Sequence, residues 1–266
     1  MQPDMSALKK KQPYILFILR PIFAFFSALA INLILHELSH AIAAYLVGVK
    51  STMYQLYVNP DTEHASKQQN IFITATGPIF SLMLGLFSWL LFKKYSVAKR
   101  NLFFLYSSIF GISIFLGNLF ATSLGGDFHT VADKIGIPNF IKYILSIIGV
   151  LSLCYFMYKM GKHFMEFKSE NENLKKQIIL ILIVLPVIFG TLLTIIVYMP
   201  LPQNSISNRI IESFFWLFTL VGAIRHKKID NSTVYSLSKI DWADIAITVG
   251  TVITIRIMSL GISFTP

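Results

Sequence analysis

Long apolar segments recur along this chain and restrict its fold more than any other feature. Of its 266 residues, 55% are hydrophobic and 14% are charged, whereas about a quarter of the residues of a soluble domain are charged. A membrane-spanning helix needs about 20 mostly apolar residues. Segments of this kind occupy residues 21–49, 71–92, 102–124, 141–158, 178–199, 210–224 and 243–264. We therefore predict an all-α polytopic protein with about seven transmembrane helices, embedded in a lipid bilayer.

The N-terminal segment is predicted to be retained in the membrane. Lysines at positions 9–11 precede apolar residues, as they do in a cleaved signal peptide. The apolar run is interrupted by Pro21, however, and continues far past Ala30. Because proline suits the first turn of a helix, we expect Pro21 to begin the first span. Residues 14–19 would then lie in the membrane interface before it.

Basic residues predict the orientation of the chain. In a seven-span arrangement, 17 of the 23 Lys and Arg residues fall on the side of the N-terminus. Since cytoplasmic loops carry an excess of these residues, we predict a multi-pass protein of the cell membrane with a cytoplasmic N-terminus. The net charge of +10 then requires no nucleic-acid partner. The single cysteine, Cys154, excludes an intrachain disulfide and a cysteine-rich metal cluster.

Two histidines and a glutamate interrupt the first apolar segment, in the sequence HELSH. Residues at i and i+4 share a helix face, so His36 and His40 present two imidazoles to one point, as ligands of Zn²⁺ would. Glu37 is placed to act as general base on an activated water. Ionisable residues inside a span are costly and usually functional. Asn32, one turn before His36, is either an outer hydrogen-bond partner of the site or part of an interhelical hydrogen bond.

A catalytic zinc ion needs a third protein ligand. His163 and His226 follow spans on the cytoplasmic side, away from the end of the first span. Odd-numbered spans run in the same direction, so Asp127, just after the third, can reach the depth of the two histidines. The remaining candidates are His64, in the first outer loop, and His129. Glycines 125 and 126 would let the backbone bend close to the site.

Three segments in this order resemble the site-2 protease family of intramembrane zinc metalloproteases. They are HELSH, TATGPIFSLMLG at residues 74–85 and LGNLFATSLGGD at residues 116–127. The resemblance implies that His36, His40 and Asp127 bind zinc, that Glu37 is the base, and that Asn118 contacts substrate. It divides the chain into an N-terminal cytoplasmic or interfacial segment (1–20), a three-helix catalytic core (21–133) and four accessory helices (134–266).

Several alternatives stay open at this point. The family usually has Asp followed by Gly, whereas Asp127 is followed by Phe and then His129. We favour Asp127 as ligand, because a carboxylate completes a His₂-carboxylate set, with His129 as an outer partner. The loop at residues 50–70 is either a short re-entrant β-hairpin or a plain connection.

The predicted function is zinc-dependent hydrolysis of peptide bonds in membrane-embedded or membrane-proximal substrates. The alternatives are a non-proteolytic zinc-binding sensor or regulator, a metal or proton transporter that uses Arg256, and a structural polar cluster. The family usually opens its site toward the cytoplasm, whereas the basic residues place this one near the outer face.

Overall fold

The computed structural model describes residues 15–61, 65–94, 101–168, 177–200, 203–226, 235–236 and 240–266. Eight helices are described, and they run as follows: α1 Ile15–Leu46, α2 Lys67–Lys94, α3 Asn101–Phe120, α4 Asp127–Ile135, α5 Asn139–Phe164, α6 Leu180–Tyr198, α7 Gln203–His226 and α8 Trp242–Met258. The described strands are short: β1 Ser51–Met53, β2 Val58–Pro60, β3 Phe167–Lys168, β4 Tyr235–Ser236 and β5 Ile262–Phe264.

Five of these helices are long and apolar enough to cross a membrane: α1, α2, α3 with the turn that follows it, α5 and α6. An all-α membrane protein is therefore confirmed as the fold class. The predicted total of seven spans is not confirmed. Helix α8 has 17 residues, about 25 Å at 1.5 Å per residue, which is less than the thickness of a typical hydrocarbon core.

Helix α1 lies at the centre of the bundle. It packs against α2, α3, α6 and α8, and Phe25, Phe26 and Ala28 on it are almost completely buried. The prediction that Pro21 begins this helix is wrong, because α1 begins at Ile15 and carries Pro21 in its interior. Residues 15–19 are thus part of the helix, and the predicted boundary at residue 20 falls inside it. Spanning helices tolerate an internal proline because neighbouring helices satisfy the freed backbone groups.

A three-stranded antiparallel sheet follows the end of α1. Its order is β2-β1-β5, with Ser51 opposite both Pro60 and Phe264. The prediction of a helical span through residue 264 is therefore wrong. The chain turns at Gly261, whose φ of +83° lies in the left-handed region that favours glycine, and then pairs with β1. A pair of strands thus occupies the loop after α1, while re-entry of this loop into the bilayer stays a prediction.

Helix α8 runs parallel to α1. Near its start, Asp244 accepts an ion pair from the Arg20 guanidinium at 3.0 Å, and both side chains are largely buried. Beyond its end, β5 pairs with β1 next to the end of α1. Because both ends of α8 are tied to corresponding ends of α1, the two helices point the same way.

Pro186 lies inside α6. The helix is widened on both sides of Leu185, with π-helical stretches at Leu180–Val184 and Pro186–Gly190. Proline cannot donate the usual backbone hydrogen bond and its ring crowds the preceding turn. A change to the wider π-helical register is one way in which a helix absorbs such a disruption.

Candidate metal centre

His36, His40 and Asp127 meet at one point, as the sequence predicted. The His36 Nε2 atom lies 3.2 Å from His40 Nε2 and 3.1 Å from Asp127 Oδ2. His40 Nε2 lies 3.7 Å from the same carboxylate oxygen. Both histidines are buried and Asp127 is partly buried. The i, i+4 spacing on α1 brings the two rings together, and the end of α3 delivers the carboxylate.

Helix α2 orients both imidazoles from behind. His40 Nδ1 lies 2.7 Å from the carbonyl oxygen of Ile73. Since a carbonyl can only accept, Nδ1 donates this hydrogen bond, which turns Nε2 toward the cluster. His36 Nδ1 lies 3.0 Å from the Ser81 hydroxyl. Partners of this kind fix ring orientation in metal-binding histidines.

Asp127 owes its position to a break after α3. The chain passes through a 3₁₀ turn at Ala121–Ser123, and then through Gly125 and Gly126, whose φ values are +150° and +91°. Asp127 then begins α4, and its backbone N–H donates to Asn118 Oδ1 at 3.3 Å. Helix α4 was not predicted, although Gly136, with φ +86° just after its end, is a typical helix-stop signal.

The two histidines favour the ionised form of the Asp127 carboxylate. Burial alone would raise its pKa, but hydrogen bonds with His36 and His40 and the charges of these rings outweigh burial and hold the pKa well below its usual range. An anionic oxygen therefore faces the Nε2 atoms of both rings.

These three groups fit a tetrahedral metal ion. Ligands bound about 2.0–2.1 Å from Zn²⁺ in tetrahedral geometry lie about 3.3 Å apart, and the observed separations of 3.1, 3.2 and 3.7 Å bracket that value. Two nitrogens and a carboxylate also form one of the ligand sets that catalytic zinc sites use.

Gly77 forms one wall of the centre. A Cβ atom at this position would lie 2.2 Å from His40 Nε2 and 2.8 Å from His36 Cε1. The backbone of α2 thus approaches the ligands as closely as a residue without a side chain allows. In the sequence, Gly77-Pro78 is notable only as part of the motif at residues 74–85. The structure supplies the reason for the glycine, since a side chain at position 77 would overlap the two histidines.

The other candidate residues have varied positions. His129 Nδ1 contacts the Thr122 carbonyl oxygen at 2.9 Å, and its Nε2 lies 3.0 Å from Asp133. Asn32 donates to Ser107 on α3 at 3.0 Å, which is the interhelical alternative. Arg256 donates to the Met199 carbonyl oxygen at 2.9 Å. His64 lies outside the described residues.

A cavity of about 810 Å³ adjoins the centre, and we call it the site cavity. Glu37 and Asn118 line it together with the three candidate ligands. Val58, the first residue of β2, and Tyr57 just before it also line the cavity. Its size falls within the range of small-molecule and peptide sites, about 300–1,000 Å³.

Comparison with known protein families places this arrangement in context. The family described as Peptidase M50B-like matches residues 14–199, from the first turn of α1 to the end of α6. The chain belongs to the peptidase M50B-like family. No curated protein and no solved structure matches it.

Membership of the peptidase M50B-like family confirms the predicted resemblance to site-2 proteases. It also fits a peptidase embedded in a membrane, in line with the five apolar helices. The match ends before α7, α8 and the C-terminal strand.

Proposed function

We propose that this protein is a zinc-dependent intramembrane endopeptidase. The observation that carries the proposal is the convergence of His36, His40 and Asp127, 3.1–3.7 Å apart, on a cavity that Glu37 also lines. The peptidase M50B-like family supports the same reaction class.

Each residue of the site has its own role in the proposed reaction. His36, His40 and Asp127 would hold a zinc ion, which would supply Lewis-acid chemistry at the scissile carbonyl and at the attacking water. Glu37 accepts the proton of the attacking water and delivers it to the departing amine. Ile73 and Ser81 hold the imidazoles in place, and Asn118 holds the N-terminus of α4, and with it Asp127.

The substrate is a membrane-embedded or membrane-proximal peptide in extended form. Among the described residues, β2 is the edge strand of its sheet, because β5 covers the far side of β1. The start of this edge also lines the site cavity. Strand addition to β2 would hold an unwound substrate by its backbone, beside the metal centre in the cell membrane. Asn118, which lines the same cavity, is proposed to contact the substrate backbone.

Replacement of Glu37 by Gln tests the reaction. The amide cannot accept the proton, so cleavage of a candidate membrane substrate should fall at least about 100-fold, the usual contribution of general acid–base catalysis. Zinc content, measured on the same purified protein, should be unchanged. Glu166→Gln is the matched control, because Glu166 pairs with His163 at 2.6 Å and does not line the site cavity. Full activity of Glu37→Gln would overturn the role of Glu37.

Replacement of His36 by Ala tests the metal. The variant should lose bound zinc, because two ligands cannot replace the three of a catalytic site. Zinc content equal to that of the wild type would contradict the proposed centre. A wild-type protein that binds zinc but cleaves no peptide would instead favour a sensor or regulator, and metal or proton flux independent of Glu37 would favour a transporter.

A further inference from the structure

The site cavity continues well beyond the metal centre, into the interior of the bundle. Its far part is bounded by Leu29 and Leu33 of α1, Phe110 of α3, Leu153 and Met157 of α5 and Trp216 of α7, and we call this part the deep pocket. Leu29 lies seven residues before His36, which is about 10 Å along the helix axis. Leu33 lies only three residues before His36, about 4.5 Å along the same axis, so the near end of the deep pocket is within reach of a side chain whose backbone lies at the metal.

The six residues that bound the deep pocket are apolar, and Glu212, one turn before Trp216 on α7, also lines the site cavity. Leu153, Met157 and Trp216 are each at most 5% exposed, although they border the cavity. Ser113, which also lines the cavity, lies 3.4 Å from the Met157 sulfur and donates its hydroxyl hydrogen to it. The Ser113 hydroxyl therefore already has a hydrogen-bond partner in the wall of the pocket. An apolar occupant loses little on entering such a pocket and gains the burial of its surface.

Trp216 is held rigidly at the end of the deep pocket. Its ring packs against Phe25, Tyr106, Phe110 and Phe164, with centroids 5.3–6.2 Å away. These partners come from α1, α3 and α5. Packing of this density favours one side-chain position, so the pocket has a defined size.

Glycines keep α7 close enough to form this wall. A Cβ atom at Gly161 of α5 would lie 2.3 Å from the Thr219 carbonyl oxygen, and one at Gly222 of α7 would lie 2.0 Å from the Tyr158 carbonyl oxygen. The two helices therefore meet backbone to backbone. Helix α7 lies outside the segment that matches the family.

We propose that the deep pocket selects substrates by a large apolar side chain, such as Leu or Phe, next to the scissile bond. Trp216 is the residue that sets its depth. This inference rests on the proposed peptidase function, since it assigns the pocket to one residue of the peptide that is cleaved.

Competition between paired peptides tests the proposal with the full-length protein. Two membrane-anchored peptides that differ only by Leu or Ala at one position near the cleavage site are digested together, and each position is tested in turn. The ratio of the two rates does not depend on how much enzyme is folded. The wild type should prefer Leu at one position by about tenfold or more, the scale at which hydrophobic pockets discriminate.

Two variants should change this preference in opposite directions. Trp216→Ala enlarges the pocket and should shift the preference from Leu toward Trp, whereas Ser113→Leu fills it and should reduce the preference for Leu. Trp89→Ala is the matched control, because Trp89 of α2 packs against His163 of α5 and does not line the site cavity. This variant should leave the ratio unchanged.

The outcomes separate the two proposals. Cleavage with no preference at any position, or ratios unchanged in both variants, would overturn the deep pocket as a specificity site and leave the peptidase function standing. An occupant such as a lipid acyl chain would give that result. Failure of the wild type to cleave any peptide would overturn the peptidase function, and this inference with it.

Discussion

The metal centre depends on the absence of a side chain at Gly77. Gly77→Ala would place a methyl group 2.2 Å from His40 Nε2, where a zinc ligand must point. We expect zinc affinity to fall by about 10–100-fold, the effect typical of disturbing a ligand's support, as measured by competition with a chelator. Gly250→Ala is the matched control, because nothing lies within 4 Å of its Cβ position. Equal zinc affinity in both variants would contradict the close approach of α2.

Asp127 and His129 can be separated by a pair of substitutions. Asp127→Ala should abolish zinc binding, because it removes the anionic ligand. His129→Ala should retain zinc, since the ring of His129 is engaged with the Thr122 carbonyl and with Asp133. Elemental analysis of the two purified proteins checks both expectations. Loss of zinc in His129→Ala alone would make the histidine the third ligand.

At the scale of elements, the C-terminal strand β5 is expected to support substrate binding. It covers one edge of β1 and thereby stabilises the sheet whose other edge, β2, faces the site cavity. A two-stranded hairpin alone is marginally stable. Removal of residues 262–266 should therefore raise the KM for a membrane peptide several-fold, with zinc content unchanged.

A shorter truncation supplies the control for β5. Removal of residues 265–266 leaves every paired residue of β5 in place and should behave as the wild type. Equal kinetics for the two truncations would show that β5 has no part in substrate binding.

The sequence predicted some elements and contacts well, for physical reasons. The apolar runs identified α1, α2, α3, α5 and α6, and the i, i+4 spacing of His36 and His40 required only a helix. The parallel direction of odd-numbered spans was enough to bring Asp127 to them. The interior position of Pro21 was missed, because hydropathy does not show where a helix begins within an apolar run.

Other contacts join residues that are far apart in the chain, so no local sequence pattern predicts them. Ile73 reaches His40 across 33 positions of the chain and Ser81 reaches His36 across 45. In the sequence, residues 262–264 resemble the end of an apolar span. They form strand β5 because they pair with β1. The extent of the cavity toward Trp216 likewise depends on how α5 and α7 pack.

At the scale of the whole molecule, the contacts at the two ends of α8 allow the membrane topology to be predicted. Because α8 is tied to α1 at Arg20 and again at β1, residue 265 should lie on the same side of the membrane as Lys50 and opposite Lys10. Single cysteines at these three positions, in a Cys154→Ser background, can be labelled with a membrane-impermeant reagent.

The positive-inside pattern predicts that only the cysteine at position 10 is labelled from the cytoplasm. The same labelling would decide which membrane face the metal centre opens toward, since it lies near the end of α1. Labelling of positions 50 and 265 from opposite sides would contradict the parallel arrangement of α1 and α8.

The pairing of β5 with β1 also has a consequence for the newly made chain. The two strands are more than 200 positions apart, and at about 5–20 residues per second a ribosome needs roughly 10–40 s to cover that distance. Residues that form the metal centre are complete long before the sheet beside it is. Biosynthesis thus imposes a delay, during which the nascent chain contains His36, His40 and Asp127 but its three-stranded sheet is incomplete.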